Sequence, residues 1–199
     1  LKNEVVMLHR EKYKPLQKRR LTESFVIKNR IDEVSAVNQS LIKNHILTNF
    51  GLVNRYKDGQ YWFMSDYLKI PYHQHIQWTQ DYLRDHYRLE FGQTLVPTPN
   101  DSIRGIILQT GEQTNVHHNV KDWHLEESPE VSCLYCVGTG AKSSNVIFEF
   151  DDGRNKHKRW KVPLEKDTFI LYSSHLNHYI TKNENRDFSV YLSLHFQLV

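Results

Sequence analysis

Trp123-His124-Leu125-Glu126-Glu127-Ser128-Pro129-Glu130-Val131-Ser132-Cys133-Leu134-Tyr135-Cys136-Val137 is the stretch whose reading decides the fold expected around it. The β-branched and aromatic run at its end predicts an extended segment. In a strand, residues two apart leave the same face, so His124 and Glu126 would point together. An imidazole and a carboxylate on one face are two-thirds of the 2-His-1-carboxylate set that holds non-haem Fe(II) and leaves positions open. A third ligand must come from far along the chain. His178, in Phe169-Ile-Leu-Tyr-Ser-Ser-His-Leu-Asn-His178, is the best candidate. His117 and His118 are alternative first ligands, but neither has a carboxylate two residues on.

Composition keeps the alternatives narrow. With 199 residues, 39% hydrophobic and 25% charged, the chain has the make-up of one ordinary globular domain with room for a real core. We divide it into an N-terminal part, 1–100, and a core, 101–199. No apolar run approaches the ~18 residues of a membrane span, and no signal peptide is evident, so a cytoplasmic protein is expected. Cys133 and Cys136 are three apart in one expected strand. They would face opposite sides and stay free thiols. Net charge is only +3. The basic segment 1–30 has few interleaved aromatics and reads as a solvated arm or edge strand, not a nucleic-acid or acidic-partner surface.

Residues 32–50 read as a helix, with Asp32 as cap, Val34, Val37, Leu41, Ile42 and Ile46 at helical spacing, and Gly51 as its stop. Residues 52–58 and 60–68 alternate around Lys57-Asp58-Gly59 and suggest a hairpin. Pro71 opens a second helix to about Glu90, ended by Gly92, with Ile76, Thr79, Tyr82 or Leu83, and His86 on its buried side. After Asp101 short strands follow one another: Ile103–Gln109, Asp122–Glu126, Val131–Val137, Asn145–Phe150, Arg159–Val162, Thr168–Tyr172, His178–Thr181 and Asp187–Gln197. Strands of this length and spacing predict a mainly β, cupin-like jelly roll, or double-stranded β-helix, with the helices packed outside one sheet.

A jelly roll joins its second and penultimate strands at one end, which would unite His124, Glu126 and His178. Arg186 follows the turn Thr181-Lys-Asn-Glu-Asn185 and would return alongside. A guanidinium there can grip a carboxylate through two hydrogen bonds, and Ser189 or Tyr191 on the outgoing strand could add a hydroxyl. Such a site chelates a small dicarboxylate at one end and anchors it at the other.

These segments resemble the Fe(II)- and 2-oxoglutarate-dependent oxygenases, nearest to small prolyl-hydroxylase-like members of phage and marine bacterial genomes. Ile103–Gln109 with Thr110-Gly-Glu-Gln-Thr-Asn-Val116 looks like the family's strand and turn before the first ligand. His124-Leu-Glu126 with Val131-Ser-Cys-Leu-Tyr135 resembles its His-x-(Asp/His/Glu) and the following strand. Phe169–His178 is similar to its Leu-Val-Leu-Phe-Pro-Ser-Trp-Leu-Pro-His, and Arg186-Asp-Phe-Ser-Val-Tyr-Leu-Ser to its Arg-Ile-Ser-Ile-Ser-Phe. The resemblance covers about half the chain, roughly 102–197.

It implies His124, Glu126 and His178 as iron ligands and Arg186 as partner of the distal 2-oxoglutarate carboxylate. Tyr135 would be a further donor to that cosubstrate. Molecular oxygen and an unidentified hydroxylation substrate, a peptide residue such as proline or a small molecule, complete the reaction. Glu126 stands where Asp is usual, and His175 has no counterpart in the motif, so it is read as packed or substrate-facing. Two rival readings keep the fold: a cupin-like metal enzyme that uses no 2-oxoglutarate, and a metal-free binding or structural module.

Overall fold

Strict alternation along one central strand divides the interior in two. In the computed structural model, residues 24–31, 36–55, 68–99, 102–121, 123–139, 142, 144–152 and 155–199 are described. Strand β10 (Ser189–Leu198) is buried over its first eight residues. Its Val190, Leu192, Leu194 and Phe196 enter one hydrophobic core, while Tyr191, one residue out of step with them, enters another. A period of two puts successive side chains on opposite faces, so a strand buried throughout must be covered on both.

One cover is a second sheet. β4 (Ile103–Leu108), β5 (Val131–Gly138), β8 (Thr168–Ser173) and β10 form the centre of a seven-stranded sheet, in the order β1-β8-β5-β10-β4-β2. β1 (Val26–Arg30) and β2 (Leu68–Lys69) are its ends, and β3 (Leu95–Pro97) pairs with β10. β7 (Asn155–Pro163), β6 (Asn145–Asp152) and β9 (Asn177–Ile180) make the smaller sheet. Ile106, Leu134, Ile170 and Tyr191 from the first meet Val146, Phe148, Val162 and Ile180 from the second. This is the expected mainly β jelly roll.

The other cover is a pair of helices. In α1 (Ala36–Arg55), Ile42, Ile46 and Phe50 recur at four-residue spacing and are buried against the large sheet. In α2 (Gln74–Phe91) the buried residues are Ile76, Thr79, Gln80, Leu83 and Tyr87. His86 is exposed instead, its ring stacked on Tyr82 at 3.9 Å. Gly92 ends α2 as expected, in a left-handed conformation with φ 72° and its N–H donating to the Arg88 carbonyl. Among the described residues no helix is long and apolar enough to cross a membrane.

Several expectations need correction. α1 runs through Gly51 to Arg55, because a single glycine weakens a helix by only about 1 kcal/mol and does not by itself end it. Most of the hairpin expected over 52–68, the cap Asp32 and the basic segment 1–23 lie outside the described residues. The strand expected over Asp122–Glu126 is instead a 3₁₀ turn at Leu125–Glu127. Pro129 holds Ser128 extended, and the Ser128 hydroxyl accepts from Lys121 N–H at 2.8 Å, closing the turn. Cys133 lies in the helix-side core and Cys136 between the sheets, both free. Burial pushes the Cys136 thiol up to about 12, so it stays unreactive at neutral pH.

Helix and sheet approach closely at Gly105 of β4. A Cβ added there would lie 2.8 Å from Ile46 Cγ2 and 3.3 Å from Phe50. Gly105→Ala is therefore expected to destabilise the protein by about 1–3 kcal/mol through overpacking, read as a lower urea midpoint with unchanged slope.

Candidate metal centre

Backbone pairing brings the first histidine to the second. Residues 114–119 run antiparallel beside β9: Thr114 N–H donates to the Ile180 carbonyl at 3.1 Å. Three residues on, His117 and His178 exchange both backbone hydrogen bonds, at 3.1 and 2.9 Å. Residues that exchange both bonds are directly opposite, with side chains on the same face. Their rings are 4.4 Å apart, centroid to centroid. Asn119, two residues further, reaches the same place through Tyr172, whose hydroxyl contacts both its amide and His178.

Each imidazole is held by its own backbone. His117 Nδ1 lies 2.8 Å from the Asn115 carbonyl, and His178 Nδ1 lies 2.9 Å from the Leu176 carbonyl. A carbonyl only accepts, so both Nδ1 atoms carry the hydrogen and Nε2 is the lone-pair nitrogen on each ring. Donation of one ring N–H to a backbone carbonyl is the usual arrangement behind a metal-bound histidine. His178 is 1% exposed. Burial, helped by His117, drives its pKa down to about 3, so it stays neutral.

A buried polar network extends inward. The Tyr172 hydroxyl donates to His178 Nε2 at 2.9 Å and accepts from Asn119 Nδ2 at 3.1 Å. Asn119 Nδ2 also donates to Ser132 Oγ at 3.0 Å, while its Oδ1 is buried without a hydrogen-bond partner among the described residues. Ser132 contacts Ser174 Oγ at 2.8 Å and His195 Nδ1 at 3.4 Å, and His195 Nε2 meets Ser193 Oγ at 3.1 Å. Arg104 of β4 pairs with Ser193 and lies near enough to act on both His195 and Tyr172. Burial first, then Arg104, pushes His195 down to about 3.

The expected site residues are distributed differently. His124 and Glu126 are exposed on the 3₁₀ turn, where helical geometry replaces the shared strand face. Among the described residues no three His, Cys, Asp or Glu side chains converge, so His124, Glu126 and His178 are not brought together. Arg186 is exposed in the turn before β10. Tyr135 is fully buried but faces α1, its hydroxyl accepting from Gln39 at 3.4 Å. Ser189 is buried on the face it shares with Tyr191, Ser193 and His195, and its Oγ lies 3.4 Å from Thr139 Oγ1. His175 is exposed beside Ser24 and borders a cleft of ≈ 320 Å³ lined also by Phe25, Val120, Leu125 and Pro129. His118 is exposed. Asn119, Tyr172, His195 and Arg104 were not singled out by sequence. The available signal was position: His117 directly follows the turn 110–116 that resembles the family's approach to its first ligand.

No protein-family model matches the chain, and no curated protein matches it by sequence. Solved structures do match. The non-heme alpha ketoglutarate dependent carbocyclase SnoK from nogalamycin biosynthesis superposes with a TM-score of 0.60 at 8% identity, over 87% of this chain and 79% of that one. AviO1 from Streptomyces viridochromogenes gives 0.57 at 10% identity, over 87% and 89%. A Pseudomonas putida prolyl-4-hydroxylase gives 0.54 at 10% identity, over 86% and 91%. At these identities the likeness establishes the fold: this chain has the jelly-roll architecture of those proteins.

The two depressed histidines have a consequence for stability. Unfolded, His178 and His195 take up a proton near 6.5; folded, they do so only near 3. Their contribution is complete above about pH 6.5 and is lost as pH falls towards 3, each by up to ~1.4 kcal/mol per pH unit. Urea unfolding of the metal-free protein from pH 7.5 to 4.5 checks this. His195→Gln should shallow the pH slope by one proton's worth, and an unchanged slope would show that His195 titrates normally.

Proposed function

We propose that this chain is an Fe(II)- and 2-oxoglutarate-dependent oxygenase whose metal is held by Nε2 of His117 and His178 and by Oδ1 of Asn119. The observation that carries this is the opposed imidazole pair, each ring fixed with Nε2 as its lone-pair nitrogen, beside a buried amide oxygen. Two neutral imidazoles and a hard oxygen fit a first-row divalent ion, and jelly-roll proteins described as non-heme alpha ketoglutarate dependent share the fold. The bound metal would supply the oxidative decarboxylation of 2-oxoglutarate to succinate that drives hydroxylation of the substrate.

The chain's own residues position the parts. The Leu176 and Asn115 carbonyls orient the two rings, and Ser132 holds the Asn119 amide. Arg104 supplies a cation for the distal carboxylate, with Ser193 and His195 alongside. The cleft walled by Phe25, Val120, Leu125, Pro129 and His175 admits the substrate, a peptide side chain such as proline or a small molecule. His124 and Glu126 are the rival donors to His178, and Arg186 is the rival anchor.

Anaerobic Fe(II) titration separates the two sets. His178→Ala should abolish binding under both. His117→Ala and Asn119→Ala should weaken it by more than the roughly 10–100-fold typical of outer-shell changes, while His124→Ala and Glu126→Ala leave it unchanged. The opposite pattern would return the site to the 3₁₀ turn. Binding of iron without 2-oxoglutarate favours the cupin-like reading, and absence of any metal binding favours a metal-free module. Arg104→Ala should weaken 2-oxoglutarate binding to the loaded protein by about 1.5–3 kcal/mol, the scale of a hydrogen-bonded charge, with Arg186→Ala near wild type.

A further inference from the structure

A second group of histidines lies where the two helices meet. His45 of α1, the capping residue His73 and His75 of α2 form a row, with ring centroids 4.5 Å apart for the first pair and 5.0 Å for the second. Their neighbours Ile46 and Ile76 belong to the helix-side core, whereas Tyr172 of the candidate metal centre belongs to the core between the sheets. The His73 and His75 rings are stacked, and among the described residues no three His, Cys, Asp or Glu side chains converge, so the row is not shaped for a metal. It joins two helices instead. His45 Nε2 donates to the Pro71 carbonyl at 3.0 Å, tying α1 to the segment that enters α2. His73 caps α2, its Nδ1 accepting from the His75 N–H at 3.3 Å.

The capping atom is also the atom that must take a proton. With Nδ1 accepting, the neutral His73 ring carries its hydrogen on Nε2. A second hydrogen therefore goes on Nδ1, where it removes the acceptor and faces the His75 N–H. The new charge also stands at the positive end of α2 and beside two further imidazoles. The described elements that meet there supply no adjacent carboxylate to offset it. α1 has no Asp or Glu, its charged residues being Lys43 and Arg55. Residues 68–73 contribute Lys69 alone besides His73. The first carboxylate of α2 is Asp81, about two turns on, where it pairs with Arg84 at 2.9 Å and accepts from Gln77 Nε2 at 2.9 Å. Partial burial, then His45 and His75, accordingly hold His73 below the usual histidine range.

We propose that His45, His73 and His75 form an acid-sensitive latch between α1 and α2, closed while His73 is neutral and released when its Nδ1 gains a proton. A group that binds its proton more weakly in the closed state than in the open one stabilises closure in full above about pH 6.5, and the stabilisation is lost as pH falls. Release begins at the first turn of α2 and uncovers Ile76, which is 0% exposed when the latch is closed. The latch is independent of the oxygenase reading.

Amide hydrogen exchange followed by NMR on the full chain from pH 7.5 to 5.0, with rates corrected for the intrinsic effect of pH, tests the latch. Protection of the His75, Ile76 and Gln77 amides should fall by up to about tenfold per pH unit below 6.5, the signature of one proton. Gly92 at the far end of the same helix, whose N–H donates to the Arg88 carbonyl, should change little. His73→Asn supplies a cap that takes no proton, so it should keep first-turn protection at pH 7.5 and lose the acid response. His45→Gln removes one neighbouring charge and should move the His73 titration midpoint up towards 6.5. A first turn no more acid-sensitive than Gly92, an acid response that survives His73→Asn, or a His73 midpoint unmoved by His45→Gln overturns the proposal.

Discussion

The reciprocal pair of backbone hydrogen bonds between His117 and His178 is the constraint on which the site depends. It places two residues 61 positions apart directly opposite each other at the edge of the smaller sheet. Their side-chain direction then follows from strand geometry alone. His178 is fixed from the other side by β6, where it pairs with Phe148. The local carbonyls of Asn115 and Leu176 choose the tautomers, so the donor character of both rings is settled by backbone before any ligand arrives.

Around that pair the chain buries polar groups that a purely structural core would omit. Tyr172, Asn119, Ser132, Ser174, His195 and Ser193 form a connected network between hydrophobic layers. In low dielectric such a network is costly unless every member is satisfied, and Asn119 Oδ1 is not satisfied among the described residues. Arg104 is a positive charge close to this interior, and it acts with burial to keep His195 neutral. Neutral imidazoles, an available amide oxygen and a nearby cation form a surface suited to a metal with an anionic partner.

The fold was legible because its signals are local. Short apolar runs separated by Gly-, Asn- and Asp-containing turns identify strands with a period of two, and seven of the eight expected strands after Asp101 form near their expected places. Cys133 and Cys136 fall on opposite faces as their spacing requires. The eighth, Asp122–Glu126, failed for an equally local reason: Glu-Glu-Ser-Pro closes a turn. The edge strand allowed for in the basic segment is present as β1, whereas β3 went unread, because three residues in register with a neighbour carry little pattern of their own.

The sequence by itself determined the class of architecture and nominated His178, which lies in a short strand bounded by clear turn chemistry. It also supplied the strand-and-turn signal directly before His117. Only the tertiary structure decided which upstream residue faces His178, because that depends on register across β9, and register is a long-range hydrogen-bond choice with no trace in spacing. The His-x-Glu pattern drew attention to the exposed turn, whereas the amide at Asn119 bears no charge to mark it. Side-chain chemistry can nominate ligands, but strand pairing determines which of them meet.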